Sequence, residues 1–298
     1  MGKLTSKINI GRLLLSLCFL LFLSTSFAQR NSRRKAKNSY AQGTFYAYWG
    51  YNRSAYTKSD MRFVGNDYDF TLKNATASDN PYPLDLSVYL NPKKITIPQF
   101  NIRAGYYFWN NWDLSIGYEH MKYIFNDKNE VLLDGYIGDD VDDNWSGYYA
   151  DEAVVTSRKQ FHYENSDGLN YINLRLTRTD QWYSTDSKNF SFNTLMGLGA
   201  GSILSFNDFN FGGEFTRRTI SMSGYGLSAN VGIRLDFFKH VFIQSSVIGG
   251  FNQQIKVKNR PDTDAYTSQK YGFVMFDTSI GALFYIRPTN GCNTCPHW

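Results

Sequence analysis

The chain has 298 residues, with 31 basic and 26 acidic side chains, 17% aromatic content and a mean hydropathy of −0.41. Residues 1–28 carry three of the bases (Lys3, Lys7, Arg12) and no acid, so the remainder has a net charge of about +2 and no basic stripe of the kind that binds nucleic acid. After the N-terminal segment no run approaches the about 18 apolar residues of a spanning helix, which excludes a helical membrane protein.

Lys3, Lys7 and Arg12 precede an apolar core, Leu13 to Leu23, and Ser26-Phe27-Ala28 is a small-x-small cleavage site. Residues 1–28 are therefore expected to be a signal peptide. Cys18 follows Leu17 rather than a small residue, which argues against a lipid anchor. Residues 29–42 hold Arg30, Arg33, Arg34, Lys35 and Lys37, a basic leader that reads as solvated chain.

From Gly43 the pattern has period two. In Phe100–Phe108 one face is Phe100, Ile102, Ala104, Tyr106 and Phe108, and the other holds Gln99, Asn101 and Arg103. Trp112–Glu119, Tyr225–Phe237 and Gly272–Ile286 alternate in the same way, and similar patterns run through Gly43–Arg53, Gly168–Arg178, Phe190–Ser205 and His240–Val257. Apolar-out, polar-in alternation at this length, with abundant aromatics on a polar average, is the pattern of strands that cross a membrane as a closed barrel. The expected fold is all-β: an eight-stranded antiparallel up-and-down transmembrane β-barrel over residues 43–286 with long extracellular loops, ten strands being the alternative.

Short connections (Trp109–Asn111, Thr179–Asn189, Phe238-Lys239) alternate with long ones (Ser54–Lys94, Asn126–Asp167, Phe206–Ile220, Lys258–Lys270), as periplasmic turns and outer loops do. Tyr68-Asp69-Phe70-Thr71-Leu72 in the first long loop reads as a hairpin or lid. The sixth strand, at roughly 17 residues, rises about 43 Å against an apolar band of about 25 Å, so strands six and seven should project outward. That projection and the two longest loops are the expected interaction surface; loops of such length without regular structure are as a rule functional or mobile.

Eight strands leave an interior just wide enough for side chains. The inward charges Arg103, Glu119, Arg175, Arg234, Asp236 and Asp277 are expected to form a polar network, with Arg103 beside Glu119 across the tight second hairpin. A plugged lumen follows, a narrow gated pore being the alternative. Gly197-Leu198-Gly199-Ala200-Gly201 lacks the Lys-Ser/Thr of a phosphate loop, and its glycines fit the lumen face. Asp140, Asp142 and Asn144 offer calcium-like oxygens but lack the Gly and distal Glu of an EF-hand, so a solvated acidic tip is preferred and no metal is assigned. Cys292 and Cys295 in the tail 287–298 suit a local disulfide. His120 beside Glu119 is the one candidate base for a rim enzyme, but no G-x-S-x-G or H-E-x-x-H motif accompanies it, so neither an enzyme nor a cofactor is expected.

Ser279-Ile280-Gly281-Ala282-Leu283-Phe284-Tyr285-Ile286, with Ser279, Gly281, Phe284 and Ile286 at the key positions, resembles the closing-strand signal of bacterial outer-membrane β-barrels. Trp49–Arg53, Tyr68–Leu72 and Asp167–Leu174 resemble segments of a functionally uncharacterised family of small barrels of that class. The resemblance implies a barrel fold, an outer-membrane location and contact with the barrel-assembly machinery, and carries no catalytic or binding residues. The resulting expectation is a monomer in outer-membrane lipid and lipopolysaccharide. It would serve envelope structure or surface interaction, with a pore or carrier for a small or lipophilic solute as the alternative.

Overall fold

The computed structural model describes residues 42–83, 85–91, 93–94 and 96–286. The expected signal peptide, the basic leader and the tail with Cys292 and Cys295 lie outside the described residues.

Eight antiparallel strands close into a ring. In order round the ring these are β1 (Thr44–Tyr56), β5 (Phe100–Trp109), β6 (Trp112–Phe125), β9 (His162–Ser184), β10 (Phe190–Phe211), β11 (Glu214–Phe237), β12 (Val241–Lys258) and β13 (Tyr266–Tyr285). The last strand returns to the first in continuous register from Thr44↔Tyr285 to Tyr56↔Phe273. Among the described residues the closed ring thus holds eight strands, the first of the two expected counts.

Side chains alternate across the wall as the period-two pattern requires. On β13, Ile280 and Phe284 are 60% and 56% exposed, while Asp277 and Ser279 are 1% and 2% exposed. Ile116, Leu174, Leu198, Leu227, Val231 and Val247 continue the exposed apolar surface round the ring. A continuous belt of this kind would be insoluble in water and is the surface a strand offers to lipid. At one end the turns are tight. Between the paired residues Phe237 and Val241 only three residues intervene, and two of them, Phe238 and Lys239, have positive φ (53° and 69°), the left-handed geometry that a tight hairpin turn requires. The first and last described residues meet at this end, where Ile286 donates its N–H to Gly43 O.

The other end departs from expectation in two ways. The longest strands are β9, β10 and β11, of 23, 22 and 24 residues, so the projection is carried by the fourth, fifth and sixth ring strands; β12, the seventh, has 18. Bulges near Ser205/Asp208 and Asn207/Phe209 let β9–β11 stay paired as they twist outward. The long loops, moreover, are not irregular. They contain β2 (Ser59–Val64), β3 (Tyr68–Ala75), β4 (Ala77–Ser78), one helical turn (Leu86–Tyr89), β7 (Glu130–Ile137) and β8 (Gly147–Val155). β2 pairs with the outer end of β13, then β3, β7 and β8 add in turn, and β4 bridges to β6. The Tyr68–Leu72 segment is thus half of a hairpin, as expected, inside a larger head.

Inward aromatics fuse this head. The Phe63 ring stacks on Phe209 (centroids 5.6 Å apart, planes 10° apart) and lies 5.3 Å from Phe70. Phe70 meets Phe211 at 5.0 Å, and Trp145 stacks on Phe161 at 5.8 Å. Leu72, Val131, Leu133 and Ile137 fill the space between, all buried.

Candidate functional site

The lumen is the candidate site, because its contents decide whether anything passes. It is filled in layers. Nearest the tight-turn end, Tyr46, Tyr48, Tyr107, Phe242 and Leu283 form a buried cluster round Arg234. The Arg234 guanidinium carbon lies 4.2 Å from the Phe242 centroid and 5.2 Å from that of Tyr46. Its Nη1 donates to Tyr107 Oη (3.1 Å), and Nε and Nη2 donate to Gln244 Oε1 (3.1 and 2.9 Å). Gly105 makes room for the Tyr46 ring, since a Cβ there would collide with it. The Tyr46 hydroxyl donates to Asp113 Oδ1 at 2.6 Å.

The middle layer is ionic. Arg103 Nη2 donates to Glu119 Oε1 (2.9 Å) and to Asn173 Oδ1 (2.7 Å), and Nη1 donates to Ser115 Oγ (3.0 Å). Arg175 Nη2 donates to the same Glu119 oxygen at 2.6 Å. All three side chains are 2–3% exposed. The register explains the meeting: Asn101 faces Glu119 across β5–β6, and Arg103 pairs with Gly117, over which its guanidinium lies. Any side chain at Gly117 would occupy that space. Two guanidinium groups on one carboxylate give a compact, charge-assisted clamp across three strands.

Above it the lining turns to amides and phenols. Gln269 Nε2 donates to Gln254 Oε1 (2.7 Å), Tyr123 Oη to Gln269 Oε1 (2.9 Å) and Gln254 Nε2 to Ser205 Oγ (2.9 Å). Tyr163, Tyr171 and Tyr271 pack among them, and the aromatic head closes the outer end.

Of the six inward charges singled out from the sequence, three meet in one clamp and three lie at other places along the lumen wall. Arg103, Glu119 and Arg175 come together. Arg234 sits in the aromatic layer, Asp236 accepts from Ser191 Oγ (2.7 Å) and Asn193 Nδ2 (2.9 Å), and Asp277 accepts from Ser279 Oγ (3.1 Å). Alternation gives the face of a residue but not its height along the axis. The sequence reading missed Tyr123, Tyr163, Tyr171, Gln254 and Gln269, whose signal was inward aromatic and amide residues in the outer halves of strands drawn too short.

Other candidates fall as follows. Of the closing octad, Ser279 and Gly281 face inward and Phe284 and Ile286 face outward, the last 61% exposed. His120 Nδ1 lies 2.8 Å from Asn170 Oδ1 and its ring stacks on Phe100, whereas Ser115 binds Arg103 and Arg175 O, so the two do not form a nucleophile–base pair. Asp142 Oδ1 accepts the backbone N–H groups of Asn144 and Trp145, which makes this residue a turn cap. Asp140 and Asn144 are exposed, and among the described residues no three His, Cys, Asp or Glu side chains converge on a metal position.

No family model matches the chain, and no curated protein matches it. Solved structures similar to it are bacterial outer-membrane barrels. The outer membrane protein AlkL in lipid bilayers has 12% identity, with 86% of this chain and 96% of that chain covered and a TM-score of 0.38. The outer membrane protein OprG from Pseudomonas aeruginosa has 11% identity, 83% and 98% coverage and a TM-score of 0.37. The N-terminal β-barrel domain of Pseudomonas aeruginosa OprF has 11% identity, 82% and 98% coverage and a TM-score of 0.31. On its own closed ring and apolar belt, the chain is an eight-stranded transmembrane β-barrel, the architecture of small bacterial outer-membrane proteins.

Proposed function

We propose that this protein is a non-enzymatic, monomeric component of the bacterial outer membrane that reaches it through a cleaved signal peptide and presents its folded head to the exterior. One observation carries this reading: the lumen is occupied at successive levels, by the Arg234–aromatic cluster, the Arg103–Glu119–Arg175 clamp and the amide–phenol layer, beneath a solid aromatic core. Moving solute through would require breaking a buried ion cluster, which costs several kcal/mol. What remains for function is the outer surface. There, among the described residues, β8 ends the sheet with an open edge, and Tyr148 is 82% exposed. An open edge is a ready template for strand pairing with another protein.

The test is conductance. Purified full-length protein in planar bilayers should show no stable ohmic steps, and liposomes containing it should not swell in small sugars or amino acids. Reproducible steps from the wild-type protein would overturn the plugged reading in favour of a narrow pore or carrier.

A further inference from the structure

After β4, which pairs near the top of β6, the chain passes down the outside of the ring before it enters β5. Trp49, Tyr51 and Arg53 lie on the outward face of β1, since Tyr48, Gly50 and Asn52 between them are enclosed. Tyr89, in the one helical turn, packs on this face. Its ring lies 4.7 Å from that of Tyr51, its carbonyl accepts from Tyr51 Oη (2.5 Å), and its hydroxyl accepts from Arg53 Nη2 (2.5 Å) while donating to Tyr82 O (2.8 Å). The register gives the level. Tyr51 is paired with Phe100 on one side and Thr278 on the other, and further out β13 still presents Phe276 and Val274, both exposed belt residues. The turn therefore rests on the lipid-facing wall within the height of the belt.

Two features suit that position. The first is the direction of its apolar side chains. Val88 and Tyr89 are buried, whereas Leu86 and Leu90, one turn apart on the opposite side, are 66% and 73% exposed. Belt residues such as Leu198 and Ile116 are exposed to a similar degree, so the apolar surface continues from the wall onto the turn. The second is a backbone satisfied from within. The N–H groups of Val88 and Tyr89 donate to Asp85 O, that of Leu90 to Leu86 O and that of Asn91 to Val88 O, and Asp85 Oδ1 takes that of Ser87. The chain goes on in the same manner: Lys93 N–H donates to Asn91 Oδ1, Lys94 N–H to Asn91 O and Ile97 N–H to Lys94 O. A segment in water has no need of such bonding, but one in lipid does, because nothing there replaces a missing partner. Lys93 and Lys94 follow the turn and are exposed. Their long stems let the ammonium groups reach the polar boundary from an apolar setting.

We propose that this turn is an anchor in the outer leaflet, with Leu86 and Leu90 among the acyl chains and Lys93 and Lys94 at the lipid phosphates. The test uses the folded full-length protein, ¹³C-methyl-labelled at leucine and valine, in nanodiscs of phosphatidylcholine and phosphatidylglycerol. The Leu86 and Leu90 signals are assigned by their loss in Leu86→Ile and Leu90→Ile. Leu198 in the belt and Val155 on the head, both exposed, serve as references for lipid and for water. A phospholipid with a nitroxide near the top of its acyl chain should erase Leu86 and Leu90 together with Leu198 and spare Val155. A soluble gadolinium chelate should erase Val155 and spare the other three. Lys93→Glu with Lys94→Glu, at exposed positions outside the ring, should make Leu90 sensitive to the chelate. Erasure of wild-type Leu86 and Leu90 by the chelate would place the turn in water, and resistance to both agents would place another protein surface over it; either result overturns the proposal. An unchanged Leu90 response in the charge-reversed protein, shown to be folded by its heat-dependent gel mobility, would overturn the phosphate contact.

Discussion

Glu119 illustrates how one side chain holds several strands. It sits on β6, accepts from Arg103 on β5 and Arg175 on β9, and has almost no access to solvent. Removing its charge leaves two guanidinium groups buried with a neutral acceptor, and breaking a buried pair in this way costs about 3–5 kcal/mol. Glu119→Gln should therefore lower the urea midpoint of unfolding in lipid or detergent; an unchanged midpoint would show that solvent reaches the clamp. The exposed Arg62–Asp69 pair is a useful contrast. Arg62 grips the carboxylate through Nε (2.8 Å) and Nη2 (2.5 Å). This holds the Asp69 carboxyl below its usual range, the hydrogen bond from Arg62 outweighing partial burial. The sign follows from a depressed folded-state pKa: the contribution is complete above the ordinary carboxylate pKa and is lost as pH falls through the lowered value. Arg62→Ala should return the Asp69 titration, followed by ¹³C NMR, to higher pH while stability near neutrality changes by less than about 1 kcal/mol.

At the scale of elements, the ring strands were legible because each repeats one rule many times. On β13 every second residue from Val274 to Phe284 is exposed except the small Ala282, and every second one from Phe273 to Leu283 is enclosed, apart from the partly exposed Gly281. The head was much less legible. β2 alternates Ser59, Met61 and Phe63 inward with Asp60 and Arg62 outward, but six residues give too little signal to separate a strand from a loop. Its partner on β13 is also some 200 positions away in the chain, a pairing that no local pattern reveals. The plug was legible as a polar interior, and Arg103 beside Glu119 could be anticipated from one hairpin, whereas Arg175 required the β6–β9 register. The head's separate packing has its own consequence. Phe63 touches Phe70, Phe161, Tyr163 and Phe209, so Phe63→Ala should cost about 3–5 kcal/mol there. Limited proteolysis should then cut β2–β3 while the ring strands stay protected; simultaneous loss of both would show that head and ring melt as one unit.

At the scale of the whole molecule, the layers act in series. Arg103→Ala with Arg175→Ala opens only the ionic level, and the Arg234–aromatic cluster still fills the lumen below it. Planar-bilayer recordings of that double variant should stay silent; conductance from it alone would mean that the clamp is the sole barrier. The path of β13 bears on the life history of the protein. Its inner stretch completes the ring against β1, and its outer residues Tyr266–Ser268 take β2, with Thr57 N bonded to Gly272 O at the junction. The C-terminal strand is thus both the latch of the cylinder and the post on which the external sheet hangs. Because β2 continues from β1 and docks on the strand that closes against β1, pairing of β2 with β13 is coupled to closure of the ring, and protection of the β2 amides would report a shut cylinder.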